Sequence, residues 1–189
     1  MPHEPLSLPA VLLMMNLMKD FVVVVNKRGK RTGVAEKMEA HQRGMLHRAF
    51  SVLLFNEKGE MLLQKRASGK YHFAGLWSNA CCSHPRPGEK VLSAAGRRLR
   101  EELGIECSLR KSGQIIYRFH DKQTALTEHE FDYVFTGRYE GTIDFNPEEV
   151  SAIRWVSLPE LKHEMKTKAE TFTPWFLEIM RTLNYNLAR

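Results

Sequence analysis

Cysteine is scarce. Cys81, Cys82 and Cys107 are the only three in 189 residues, an odd count with no C-x-x-C spacing, which argues against a disulfide framework and places the chain in a reducing, cytoplasmic setting. Long hydrophobic runs are also missing. The apolar stretch Leu6–Met18 falls short of the about 20 residues that cross a bilayer. It also has no Lys or Arg before it, so neither a membrane span nor a secretory leader is expected. No long basic tract suggests a nucleic-acid tail. With 12 Gly and 8 Pro, collagen-like and disordered readings fall away. What is present is ordinary for a soluble globular protein: 43% hydrophobic and 26% charged residues. Lys plus Arg (28) exceed Asp plus Glu (22) by 6, a balance that suits an anionic ligand or nucleic acid without choosing between them. The length fits one domain able to bury its own core.

Residues 1–20 read as an N-terminal extension, either loosely docked or lying ahead of a start at Met18; residues 21–189 read as the domain. Phe21–Asn26 is a β-branched run, a buried strand ended by the turn-prone Lys27–Gly33. Ala49–Asn56 and Met61–Lys65 flank Glu57-Lys58-Gly59-Glu60 and predict a hairpin. Trp77–Cys82 predicts a short strand. Val91, Ala95, Leu99 and Leu103 then recur every four residues, an amphipathic helix stopping before Gly104. Strand patterns follow at Gly113–His120, Leu126–Tyr139 and Ala152–Val156, and Pro159 and Pro174 each stand where a helix can begin. Strands around one strong central helix, closed by helices, predict an α/β sandwich.

Arg97-Arg98-Leu99-Arg100-Glu101-Glu102-Leu103-Gly104-Ile105 pairs 97 with 101 and 98 with 102 on shared faces of the central helix. On an isolated helix these would be solvated ion pairs. Here a Gly/Pro-rich loop leads into the helix and the acids border its apolar stripe, so carboxylates can be presented beside the sheet. With Glu89, these residues resemble the Nudix signature, with two departures: Ser83 replaces its glycine and Arg98 replaces its first helix glutamate. The resemblance implies a Nudix-like α/β/α sandwich with a mixed sheet. Arginine at 98 reverses charge where the hydrolases hold a metal, which implies impaired hydrolysis.

Histidine and carboxylate form a second set. His41 and His47 flank a short polar stretch, His84 follows Cys81-Cys82, and alternation along a strand puts Glu128 and Glu130 on one face with His129 on the other. Three imidazoles and two carboxylates suit a divalent transition metal. Cys81 and Cys82 should face opposite sides. Cys81 reads as a small buried hydrophobe. If Cys82 shares a face with His84 near cations, its thiolate should be favoured below about 8.5.

Together, Leu46-His47-Arg48-Ala49-Phe50-Ser51, Trp77–Pro85, Arg97–Gly104, Glu128-His129-Glu130 and Phe172-Thr173-Pro174-Trp175 resemble type I isopentenyl-diphosphate isomerase, in that family's order. The resemblance implies interconversion of an allylic and a homoallylic diphosphate by adding one proton and removing another. It makes Cys82 and Glu130 the acid/base pair. His41, His47, His84, Glu128 and Glu130 become ligands of Mn²⁺ or Zn²⁺, and Glu102 helps hold Mg²⁺. Lys37, Arg66, Lys70, Ser83 and Arg98 surround the diphosphate, and Trp175 offers an aromatic face to a carbocation. Either Tyr117 or Phe119 takes the family's tyrosine position. The implied partner is a small molecule, with no nucleic acid and no membrane, for a monomer or homodimer. The competing reading is a Nudix pyrophosphohydrolase acting on a nucleoside or other diphosphate; a non-catalytic diphosphate or nucleic-acid binding module is a third.

Overall fold

The computed structural model describes residue 18 and residues 20–183. The expected extension over residues 1–20 lies almost wholly outside the described residues. Strand β1 (Phe21–Val25) runs antiparallel to β2 (Arg31–Glu36). The turn between them is tied by Asn26, whose Oδ1 accepts from the backbone N–H groups of Arg28 and Lys30. β2 therefore begins inside the segment read as a turn, because the Asn26 side chain and Gly29 (φ 74°) complete the reversal by Lys30. Helix α1 (Lys37–Arg43) lies where the sequence reading assigned no element, and its last residues enter the polar stretch between His41 and His47. It is too short to show a hydrophobic period. Its ends hold it: the Glu36 carboxylate accepts from the N–H groups of Met38 and Glu39, and Gly44 closes it at φ 60°.

β3 (His47–Phe55) and β4 (Met61–Arg66) turn about Asn56–Glu60 as the hairpin reading expects. They are registered at Phe55↔Met61 and then splay. β3 takes β8 (Thr127–Arg138) as a parallel neighbour, from His47↔Glu130 to Phe55↔Arg138, while β4 takes β9 (Val150–Val156). The run predicted as one strand at Trp77–Cys82 is two, β5 (Trp77–Asn79) on β4 and β6 (Cys81–Ser83) on β3. Asn79 stitches this crossing by donating to the carbonyls of Val52 and Cys81 at 3.1 and 2.8 Å. β7 (Leu109–His120) completes a mixed sheet of nine strands by pairing with β8.

Helix α2 (Val91–Leu103) lays Ala94, Ala95, Leu99 and Leu103 on Phe50, Val52, Leu54 and Phe135. Fully burying one such leucine contributes roughly 1.5–3 kcal/mol. The opposite sheet face carries Leu53, Leu63, Ile115 and Val134 against Trp175, Phe176 and Ile179 of α4 (Pro174–Thr182), which follows α3 (Leu158–Thr167) and a 3₁₀ turn. The expected α/β/α sandwich with a mixed sheet is the fold observed. Alternation along β3 and β8 sends Ser51, Glu130 and Asp132, polar and buried, to the α4 side. That is where a cavity opens.

Candidate functional site

Five donor atoms, one each from His41, His47, His84, Glu128 and Glu130, lie within 4.8 Å of one another. They converge from α1, β3, the end of β6 and β8. His41 Nδ1 lies 2.6 Å from the Lys37 carbonyl and His47 Nδ1 lies 2.8 Å from the Met45 carbonyl. A carbonyl only accepts, so each Nδ1 donates and each Nε2 faces the cluster, where a neutral ring offers its lone pair. His47 Nε2 meets His84 Nε2 at 3.1 Å, and His84 Nε2 lies 2.7 Å from Glu130 Oε1. The Nε2 of His41 and Oε2 of Glu128 are buried with no hydrogen-bond partner among the described residues.

So many inward-facing lone pairs attract positive charge. Burial works to lower the pKa of His41, yet the Glu128 carboxylate 3.4 Å from its Nε2 raises it to about 8. Burial dominates at His84, lowers it to about 4 and keeps a neutral imidazole. Burial pushes Glu128 and Glu130 up, but the surrounding histidines outweigh it and hold both below the usual carboxylate range. Mixed imidazole and carboxylate donors of this kind fit a divalent transition ion. Glu102 stands apart from this group: its oxygens accept from Arg98 at 2.7 Å and Gln64 at 3.1 Å.

A cavity of about 330 Å³ brings together Cys82, Ser83, Glu128, Glu130, Tyr117 and Trp175 with Lys37, Arg66, Lys70 and Arg98. Cys81 faces the α2 core and Cys82 the cavity side, as alternation predicts. Expectation and structure part at the thiol. No cation leads its surroundings: Cys82 donates to Asn79 Oδ1 at 2.9 Å, its Sγ lies 3.3 Å from Ser51 Oγ, and Ser51 in turn donates to Asp132 at 2.8 Å. Burial, then the charge of Asp132, pushes the thiol up to about 12, so the condition for a thiolate is not met and Cys82 is a neutral thiol. Burial and the charge of Glu130 likewise hold the Asp132 carboxyl well above its ordinary value.

Between the two tyrosine candidates, Tyr117 reaches the centre, donating to Glu130 Oε2 at 2.5 Å, while Phe119 packs beside its ring. Ser51, Asn79 and Asp132 escaped the sequence reading. Asp132 had a signal, since it extends the Glu128, Glu130 alternation by one step; the others are recognisable only through the β3–β6 contact. His72 was missed as well. It is buried against Glu128 Oε1 from the loop over residues 67–76.

The cationic side is internally balanced. Arg98 donates to Glu101, Glu102 and Glu149 at 2.9, 2.7 and 3.0 Å, and Lys70 pairs with Glu149. Burial lowers Lys70 to about 8. Trp175 donates its Nε1–H to Ser78 at 3.2 Å, and the Arg66 guanidinium lies 5.2 Å from its ring centroid. Beside them Arg97 grips Glu89 through two bonds of 2.8 and 2.9 Å, closing the loop ahead of α2. Burial tends to raise Glu89, but Arg97 and the Arg86 N–H hold it below the usual value near 4.5. A lowered folded-state pKa contributes stability above that value, lost as pH falls through the folded one. Glu89→Gln should thus cost about 1–2 kcal/mol at neutral pH after allowance for solvent screening. The deficit should persist above the usual value near 4.5 and shrink as pH falls below it through the lowered folded value, read by urea unfolding at neutral and acid pH.

A mixed sheet clasped by α2, with that helix's acids beside a polar cavity, defines a Nudix-type α/β protein, and the NUDIX domain family matches residues 45–176. The chain belongs to the NUDIX family and, within it, to the isopentenyl-diphosphate Delta-isomerases. A protein of Aromatoleum aromaticum named isopentenyl-diphosphate Delta-isomerase 2 is 48% identical over 158 residues, covering 84% of this chain and 83% of its own. Another of the same name from Photorhabdus laumondii is 45% identical over 168 residues, 89% of this chain and 94% of that one. Among solved structures, a Deinococcus radiodurans protein superposes with TM-score 0.70 at 22% identity, covering 86% of this chain and 98% of its own, a likeness of fold.

Proposed function

We propose that this enzyme interconverts isopentenyl diphosphate and dimethylallyl diphosphate, with Cys82 and Glu130 as the two proton-transfer groups. The observation that carries this reading is that a neutral thiol and a carboxylate line one cavity beside six lysine and arginine side chains. The five-carbon substrate ends in a CH₂=C group. Adding a proton to the terminal carbon gives a tertiary cation, and removing one from the carbon on the diphosphate side closes the double bond at its new place. No atom is gained or lost. Cys82, high in pKa, holds a proton at its sulfur in the resting state. Glu130, kept ionised and bonded to Tyr117, can accept one, and the reverse direction exchanges the roles. Such transfers contribute about 10²–10⁴-fold each.

The intermediate cation needs exclusion of water and a stabilising surface. The indole face of Trp175 supplies roughly 2 kcal/mol or more to a desolvated cation. Lys37, Arg66, Lys70, Ser83 and Arg98 would hold the diphosphate. His41, His47, His84, Glu128 and Glu130 would hold Mn²⁺ or Zn²⁺, whose charge would favour the ionised form of Glu130. Mg²⁺, with Glu102 contributing, would offset diphosphate charge. Arg98, bonded to three carboxylates, leaves the α2 acids engaged by a guanidinium, which disfavours the hydrolase reading. Three free cysteines support a cytoplasmic setting, and no helix among the described residues is long and apolar enough to cross a membrane. Monomer and homodimer both remain compatible with the proposal.

Incubation with isopentenyl diphosphate and Mg²⁺ in D₂O, followed by NMR, should show deuterium entering the carbon skeleton with the diphosphate intact. Released phosphate in place of labelled product would mark a pyrophosphohydrolase, and unlabelled, unchanged substrate a binding module.

A further inference from the structure

The loop over residues 67–76 overhangs the cavity and carries Lys70, Tyr71 and His72. Its backbone is constrained. Phe73 takes φ 48°, a left-handed conformation that costs an aromatic residue about 1 kcal/mol or more and persists only where the surroundings impose it. Two sets of contacts impose it here. Arg66 donates to the carbonyls of His72 and Phe73 at 3.0 and 3.2 Å. The His72 ring, 4% exposed, meets Glu128 through Nε2, while its Nδ1 is buried without a partner among the described residues, so Glu128 is its one polar anchor there.

The same contacts close a circuit. Tyr71 stacks on His72 with centroids 4.3 Å apart, and Lys37 Nζ lies 5.3 Å from the Tyr71 ring. The Lys37 carbonyl holds His41 Nδ1, and His41 Nε2 lies 3.4 Å from Glu128 Oε2. Through His72 the circuit returns to Glu128 Oε1. One carboxylate thus has one oxygen taken by the loop and the other free to face the donor cluster. Two groups at the anionic end, Lys37 and the Arg66-bound loop, are thereby mechanically tied to two residues of the five-donor group.

We propose that His72 is a positioning residue that couples the two ends of the cavity, so that a divalent ion at the five-donor group and a diphosphate among Lys37, Arg66 and Lys70 bind with positive cooperativity. An ion that fixes Glu128 fixes the His72 partner, and with it the loop bearing Lys70. A diphosphate that orders the loop sets Glu128 for the ion, as linkage requires. This rests on the reading of the five donors as a metal site and of these cations as the diphosphate cradle.

The test needs no turnover. Protein loaded with one equivalent of Mn²⁺ and protein stripped of it are titrated with inorganic pyrophosphate by calorimetry, both in constant Mg²⁺, and retained manganese is measured separately. The native chain should bind pyrophosphate about 5–150-fold more tightly when loaded. His72→Phe keeps the stack on Tyr71 but has no donor, and its ratio should fall to near one. His72→Ala, with no bulk to misfit, should behave alike. His72→Gln keeps an N–H at the same reach and should restore most of the ratio. A native ratio of one despite bound manganese overturns the proposal, as does an undiminished ratio in both the phenylalanine and alanine variants. Failure of glutamine to restore it reduces His72 to packing and also overturns the proposal. A native chain that takes up no manganese brings down the metal reading itself, an outcome distinct from the others.

Discussion

Cys82→Ala should lower turnover by about 10²–10⁴-fold while changing the affinity for inorganic pyrophosphate little. The separation follows from the geometry. The Cys82 sulfur is bonded to Asn79 and Ser51, whereas Arg98 and Lys70 are engaged with Glu101, Glu102 and Glu149 and Arg66 with the carbonyls of His72 and Phe73. Removing the sulfur should therefore take away the proposed proton donor and leave the proposed anion cradle standing. Cys81→Ala is the matched control. That side chain is buried on the α2 face, so its loss should cost some stability and leave the turnover number nearly intact. Steady-state kinetics on both variants, with pyrophosphate titrations alongside, decide the matter. A Cys82 variant with a near-native rate removes the thiol from the chemistry.

The second large effect belongs to Glu130. Its Oε1 faces His84 and its Oε2 accepts from Tyr117, so the group sits between the metal-type cluster and the cavity. Glu130→Gln should lose manganese on gel filtration and lower turnover by about 10²–10⁴-fold. The two losses are separable. Excess Mn²⁺ should restore the metal content of Glu130→Gln without restoring the rate, because an amide cannot accept the proton. His84→Ala lacks only a ligand, and its rate should partly recover with added metal. Full recovery of Glu130→Gln under excess metal would confine Glu130 to coordination.

Much of this site was legible residue by residue. The step of two along β8 placed Glu128 and Glu130 together, the same rule divided Cys81 from Cys82, and the step of four marked α2 and its stop at Gly104. The parts that escaped have a common character. Helix α1 is held by a Glu36 cap and carries no periodic face, β5 and β6 separate because they serve different neighbours, and His72 reaches Glu128 across 56 positions of sequence.

By itself, then, the chain's order of residues determined which side chains share a face, since pleat and helical pitch are covalent geometry acting over a few neighbours. Its ordered strings also determined the family. Only the tertiary structure decided the electrical character of those side chains. The sequence tied a Cys82 thiolate to a setting among cations; packing put burial and Asp132 around it and made it a held thiol. Tyr117, rather than Phe119, was put on Glu130 by the β7–β8 register. Protonation and partnership depend on which distant groups converge in a low-dielectric interior, and that convergence exists once the sheet has closed.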